Sequence, residues 1–329
     1  MKNILVEQLR IKEFRGIREC KETIKLNKIN ILIGRNNSGK STILEALSLI
    51  PTPTTPIPVL DKYRRRIVAE IHGGPRSLVY GYDGKATIEY YLGRNVLAYH
   101  IDTHGNFKTS INEEAPAGKL EDVIAEIMNV EEEEFDSTAL FIPNDTRFLR
   151  ELEKRIVEEK YWNRVVKCGA NVSIISDVVS KVVDDVYTEA FVSYGDLRLR
   201  KQLDGQRVIY VKIEDLGDGI ERMLTSALWL ETYRPKLVLW DDFEASAHPS
   251  LIRVMLEWLT SREWQVVLAT HSIDVLAEII ELKPKNTNII LLRKTRNDEL
   301  HHKTLSISEV ENLMLSSQDP RKIVDLLEL

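Results

Sequence analysis

A chain of 329 residues with 43% hydrophobic and 29% charged side chains is large enough for a sizeable core, and its composition is that of an ordinary globular protein. The net charge of −6 argues against broad binding along a phosphate backbone and leaves room only for a local basic groove. Two cysteines, Cys20 and Cys168, fit reduced intracellular thiols, the N-terminus is too charged for a signal peptide, and no apolar run approaches the ~20 residues of a membrane span, so a cytoplasmic protein with no membrane partner is expected.

In chain order, residues 3–12 alternate as a strand, and a second extended stretch ends in INILI before Gly34. STILEALSLI then reads as a helix closed by Pro51. PTPTTPIP (51–58) suits neither a helix nor a central strand, because proline fixes φ and removes donors. It is expected to be a rigid, exposed connection into a separate lobe. From 67 to 109, IVAEI, SLVYGY, ATIEYYL, VLAYHI and NFKTSI read as antiparallel strands between glycine turns. Residues 118–133, 146–167 and 172–192 read as helical, with Glu131–Glu134 a solvated helix end and Arg64–Arg66 a solvated basic patch.

Past Gln206 the pattern is again buried strand and helix. VIYVKI is a strand, and GIERMLTSALWL carries apolar residues at 220, 223, 224, 227, 228 and 230, which is helical spacing. KLVLW, QVVLAT and NIILLR are short β-branched-rich runs separated by helical stretches, as parallel α/β strands should be. No internal repeat and no sustained heptad is present. The end of the sequence, DPRKIVDLLEL, reads as a short amphipathic helix.

Gly34-Arg35-Asn36-Asn37-Ser38-Gly39-Lys40-Ser41 matches G-x-x-x-x-G-K-[ST], a pattern chance places in roughly one chain of this length in a hundred. It lies where the motif requires, after a buried strand and at the start of a helix. Gly34, Asn36, Asn37, Ser38, Gly39 and Thr42 would line a phosphate with backbone N–H groups, helped by about half a positive charge at the helix N-terminus. Lys40 would reach the β- and γ-phosphates, and the Ser41 hydroxyl would take a place on Mg²⁺. The cofactors expected are therefore ATP and Mg²⁺. Such a site needs an acid on a neighbouring strand, and Leu237-Val238-Leu239-Trp240 runs into two. Asp241 would hold the metal, and Asp242 would orient or deprotonate the attacking water. His271, after QVVLAT, is placed to sense a γ-phosphate.

Together these pieces resemble the ABC-type ATPases of the SMC/RecF and OLD group. The opening LRIKEFRGIREC…IKLNKINILIGRNNSGKSTILEAL, with Phe14-Arg15, is similar to that group's N-terminal half. Leu239–Pro249 resembles its LxDEPEAxLHP run, ATHSIDVL its switch-histidine segment, and Glu214–Leu224 its signature motif. The resemblance covers about 1–50 and 205–295, with the motifs in the family's order. It implies a P-loop NTPase of ABC type with an N-terminal antiparallel β lobe and an α/β insertion. The nucleotide-binding domain would be discontinuous, 1–50 plus 205–329, around an inserted β-then-helical lobe, 51–204. The gap is too short for the long coiled coil of SMC proteins, and no nuclease (Toprim) domain is apparent after residue 295.

In such proteins two subunits sandwich two ATPs, and the signature of one caps the γ-phosphate held by the other. The resemblance carries Gly217, Asp218 and Gly219 over as that cap and implies an ATP-dependent homodimer. Gly217 stands where the family has a serine, and Asp242 where it has a glutamate. Hydrolysis is then expected to be slow, or to draw on Glu244. Gln202 and Gln206 lie too near the signature for the family's glutamine loop, and Asn144 in FIPNDT is a weak substitute. Three functions follow: an ATPase acting in DNA maintenance or phage defence, a slow ATP-gated switch that recruits an effector or nuclease protein, and, far behind, a transporter subunit. DNA is implied by the resemblance alone.

Overall fold

The computed structural model describes residues 4–203 and 207–323. The chain opens with β1 (Gln8–Phe14), β2 (Ile17–Cys20), β3 (Ile24–Lys25), β4 (Ile29–Ile33) and α1 (Lys40–Ser48). After the two-residue strands β5 (Pro56–Ile57) and β6 (Lys62–Tyr63) come α2 (Arg64–Ile71), β7 (Lys85–Leu92), β8 (Asn95–Asp102) and β9 (Phe107–Ile111). Helix α3 (Leu120–Met128) leads to β10 (Ala139–Ile142), α4 (Thr146–Ile156), α5 (Glu159–Lys167) and α6 (Ala170–Asp177). A small antiparallel sheet follows, β11 (Val186–Ser193), β12 (Asp196–Gln202) and β13 (Val208–Lys212). The remainder is α7 (Asp218–Tyr233), β14 (Leu237–Trp240), α8 (Pro249–Ser261), β15 (Gln265–Ala269), α9 (Ile273–Leu282), β16 (Thr287–Lys294), β17 (Glu299–Leu305) and α10 (Ile307–Leu315).

One large sheet organises the protein, in the order β10-β14-β15-β4-β16-β17-β2-β1-β7-β8-β9, with β3 beside β1. Strands β10 to β16 on that path are parallel and the β1-β7-β8-β9 end is antiparallel. The parallel strands are apolar on both faces because helices cover both. Ile29, Ile31 and Ile33 of β4 point into a core shared with α7, α8 and α9, whereas Leu32 points into one shared with Ile43, Leu44 and Leu47 of α1. The fully buried Asn30 is satisfied within this layer, its amide donating to Asn27 O (2.8 Å) and Val266 O (3.2 Å). The expected α/β class, with an N-terminal antiparallel β lobe, describes this architecture.

The described residues of the expected lobe, 51–203, go to three places. Strands β7–β9 extend the large sheet past β1, β10 forms its opposite edge beside β14, and α4–α6 with β11–β13 pack near α7. PTPTTPIP is buried rather than exposed: Thr52 is 0%, Thr55 4% and Ile57 2% accessible. Its carbonyls at Thr55 and Pro53 accept the first N–H groups of α2.

Several local expectations are corrected. IVAEI lies in α2, and SLVYGY forms 3-10 turns rather than a strand. The stretch 172–192 is not one helix, since it breaks after α6 and becomes β11. Glu131–Glu134 are exposed as expected but lie at and in a 3-10 turn rather than an α-helix end. Arg64 is not solvated. It is 1% accessible, and its guanidinium donates to Ser48 O (3.1 Å), Ala139 O (2.6 Å) and Asp136 O (2.6 Å), tying α1 to β10. The amphipathic helix expected over DPRKIVDLLEL falls largely on residues 324–329, outside the described residues. Both cysteines are free thiols, and among the described residues no helix is long and apolar enough to cross a membrane.

Candidate functional site

The phosphate-loop segment bends sharply at the end of β4. Gly34 has φ +147°, and a Cβ there would lie 2.5 Å from Leu292 O and 2.8 Å from Ser38 Oγ, so only glycine fits. Asn37 (φ 60°) and Gly39 (φ 100°) complete the turn. Gly39 stands at the N-cap of α1 without a side-chain cap, and no acid occupies the first turn. The first N–H groups of α1 therefore lack the usual side-chain acceptor. Lys40 is 4% accessible and folds back onto the loop, donating to Gly34 O (3.0 Å) and Arg35 O (3.1 Å). Burial pulls its pKa down to about 8, against the attraction of Asp242, Asp241 and Glu244. The buried Ser38 hydroxyl has no partner.

Parallel pairing brings the acids to the same sheet edge. β4 pairs with β15, β15 with β14 and β14 with β10, so their C-terminal ends align, as ligand sites in open α/β sheets require. Asp241 follows β14 and is 9% accessible. Burial raises its pKa to about 6; the Ser41 hydroxyl and Lys40 oppose the rise, and Asp242 and Glu45 add to it. Asp242 takes a left-handed backbone (φ 44°), which asparagine and aspartate tolerate better than other residues, and turns the chain away from the sheet.

Around Asp242 the structure adds two residues. Asn144, just past β10, donates Nδ2–H to Asp242 Oδ2 at 2.7 Å. Arg222, in the second turn of α7, donates to Asn144 Oδ1 (3.0 Å) and to the backbone oxygens of Asp241 (3.0 Å) and Asp242 (3.5 Å). A guanidinium can only donate, so it fixes the Asn144 amide with nitrogen toward Asp242. Local pattern ranks Asn144 as a weak candidate and passes over Arg222. The only available signal for Arg222 is its position, three residues after Gly219 on the signature helix.

His271 lies between β15 and α9. Its Nε2 is 3.8 Å from Asp242 Oδ1, and its pKa is lowered, first by burial and then by Lys40, so the ring is neutral near pH 7. Glu244 does not face Asp242's carboxylate in the hydrogen-bond pattern; its Oε1 accepts the His271 N–H at 2.7 Å. Arg15, from the opening motif, pairs with Glu45 of α1 at 2.6 Å, and Glu45 also meets His72 Nε2 at 2.6 Å.

Gly217, Asp218 and Gly219 belong to a different groove. They start α7 and, with Leu216, Ser246, His248 and Ser250, line an open cavity of about 710 Å³. A Cβ on Gly219 would collide with Ser246 O, so the 242–248 segment packs directly on the helix start. Gly217 (φ 92°) caps α7 without a side-chain bond. Asp218 sits exposed in the first turn, where its carboxylate competes with any second anion for the helix dipole.

The fold and the loop-plus-acid geometry are those of a P-loop ATPase domain with the architecture of an SMC head. Residues 5–75 match the family model described as "AAA ATPase domain", and residues 112–278, 167 of the 329, match the one described as "AAA domain, putative AbiEii toxin, Type IV TA system". The chain belongs to this second family. Among solved structures it is similar to an SMC head bound to the C-winged helix domain of ScpA, with TM-score 0.64 and 15% identity over 93% of this chain and 100% of that one. It is also similar to the Pyrococcus furiosus SMC head bound to the C-terminal domain of ScpA (TM-score 0.61, 12% identity, 95% and 99% covered). The Pyrococcus yayanosii SMC head gives TM-score 0.54 at 10% identity, with 95% and 99% covered. At these identities the likeness is one of fold. A curated relative, MJECL10 of Methanocaldococcus jannaschii, is 44% identical over 64 residues, 20% of this chain; the match spans 29% of that protein's length.

Proposed function

We propose that the protein binds ATP with Mg²⁺ at the Gly34–Thr42 loop and hydrolyses it, with two copies closing on two nucleotides and coupling that closure to DNA maintenance or phage defence. The observation that carries the reading is the sheet edge itself. Loop, Lys40, Asp241, Asp242 and His271 converge from three segments, and the loop keeps an uncapped helix start and a partnerless Ser38 hydroxyl. These groups fit a bound polyphosphate. Ser41 and Asp241, near enough that the hydroxyl favours the ionised carboxylate, are the pair suited to hold the metal. No group of three or more His, Cys, Asp or Glu able to hold a metal occurs among the described residues, which suits an ion that keeps waters and phosphate oxygens as ligands. When bound, Mg²⁺ would neutralise charge on the terminal phosphates.

The chain's own groups then have separate tasks. Lys40 leaves the loop carbonyls for the phosphates. Asp242, steadied by Asn144 and Arg222, orients the attacking water and accepts its proton. Neutral His271 offers a donor to the γ-phosphate. Gly217–Gly219 of a second copy would complete the site, and the 710 Å³ groove beside them is the surface available for it. Closure that depends on a second copy also suits the slower alternative, an ATP-gated switch recruiting an effector or nuclease protein. Asp218 at the helix start and the shorter Asp242 favour slow turnover. Two of the similar SMC heads are bound to parts of ScpA, which supports looking for a partner protein here.

ATP turnover per subunit, measured against protein concentration with and without duplex DNA, tests the reading. Turnover should rise with concentration and fall by at least about 100-fold in Lys40→Ala. Turnover unchanged in Lys40→Ala would sink the site assignment, and flat, DNA-insensitive turnover would move the assignment to the partner-driven switch.

A further inference from the structure

We infer that Arg321, outside every motif above, is a positioning residue that fixes the His271 backbone beside the phosphate site, with Glu244 as its counterpart. This rests on the ATPase reading for its consequence, though not for its geometry.

Thr270, His271 and Ser272 span the gap between the end of β15 at Ala269 and the start of α9 at Ile273. The β15–β4 ladder supplies one last bond, at Thr270, but neither ladder nor helix partners the His271 backbone, so other groups must. Thr270 N donates to Leu32 O (3.1 Å), and Ser272 N to Thr270 Oγ1 (2.9 Å). The two peptide groups flanking the His271 Cα are held from outside. Glu244 Oε1 accepts the N–H at 2.7 Å, and Arg321 Nη1 donates to the C=O.

Arg321 is itself held by a fork. Its Nε and Nη2 donate to the two oxygens of Asp319 at 2.8 and 2.7 Å, and its backbone N–H donates to Asp319 Oδ1 at 3.0 Å. A planar, doubly bonded guanidinium loses little further freedom on making a third contact. The clasp therefore fixes the backbone torsions that decide where the His271 ring points. Charged groups acting on that ring are Lys40, Asp242, Glu244 and Arg321, the two cations opposing its protonation. An interaction that orients a ring without touching nucleotide should lower turnover and leave ground-state affinity alone. Asp319 and Arg321 lie more than 40 residues beyond His271, so this segment gives the site a hold from a part of the chain that carries none of its motifs.

Full-length Arg321→Gln and Asp319→Asn test it. Two readouts are taken: ATP turnover with KM, and the His271 ring resonance, assigned by its loss in His271→Gln. Each variant should lower kcat, about tenfold for Arg321→Gln and less for Asp319→Asn, with KM within about twofold, and should displace the His271 resonance. Unchanged kcat with an unmoved resonance overturns the inference. So does a joint change of kcat and KM accompanied by a lower melting temperature, which would mark a merely structural role. If the wild-type protein turns over no ATP, the ATPase reading fails, and the resonance alone then decides the clasp.

Discussion

The phosphate-loop region and the signature groove are both glycine-marked helix starts, yet they are built differently. The first lies at the end of a fully buried strand, and its lysine and both neighbouring carboxylates are already placed by sheet pairing. The second opens to solvent, is capped by no side chain and carries its own acid in the first turn. Burial gives the first region its shifted pKa values and its pre-set geometry. The second region's main internal constraint is the close approach of Ser246 to Gly219. A half-site that is complete within one copy and another that waits for a surface are what a two-copy site would need.

Gly219→Ala should disturb the contrast most strongly. A methyl there must displace the 242–248 segment, so turnover should fall by about 100-fold while labelled-ATP binding to one copy stays within a few-fold, as measured by fluorescence titration. Equal loss of both would mean the two regions are not separable.

Asp241→Asn probes the buried region. The folded Asp241 has its pKa raised from 3.8 to about 6, so ionising it costs stability that an amide does not lose. The sign is that the folded state binds more protons than the unfolded one, so stability falls as pH rises from about 4 to about 6 and then levels. Thermal unfolding of the nucleotide-free variant should show a gain of up to about 3 kcal/mol at pH 7–8 that vanishes near pH 4. A variant less stable than wild type at pH 8 would contradict the burial argument.

Lys40 gives the smallest and most local effect. Its pKa is lowered to about 8, and in the proposed role the charged form would hold phosphate, so ATP affinity should be flat below pH 8 and weaken up to about tenfold per pH unit above it. The slope should disappear in Lys40→Arg, since arginine stays charged throughout.

Much of this site is legible in the amino-acid sequence. The phosphate loop, the LVLW-Asp241-Asp242 run and the strand ahead of His271 are each local patterns, a buried strand followed by a chemically distinctive turn. The parts that local pattern leaves unread or misreads are short. Ala139–Ile142 is only four residues long and owes its strand character to Leu237–Trp240, almost a hundred residues away. IVAEI alternates like a strand but is helical. Its helix begins at Arg64, an arginine buried because three distant carbonyls accept from it. Residues 186–193 pair with β12 across a bulge, and a helical spacing can be traced through them as long as that partner is left out of account.

The class of fold and the nucleotide-loop chemistry are set by local order along the chain, because strand periodicity, glycine turns and the G-x-x-x-x-G-K-S spacing act over a few residues. Folding in three dimensions is what makes Asn144 and Arg222 steady Asp242 and Arg321 clasp His271. Those contacts join segments 98, 78 and 50 residues apart, and no local spacing encodes a hydrogen bond whose partners meet only after the sheet has closed.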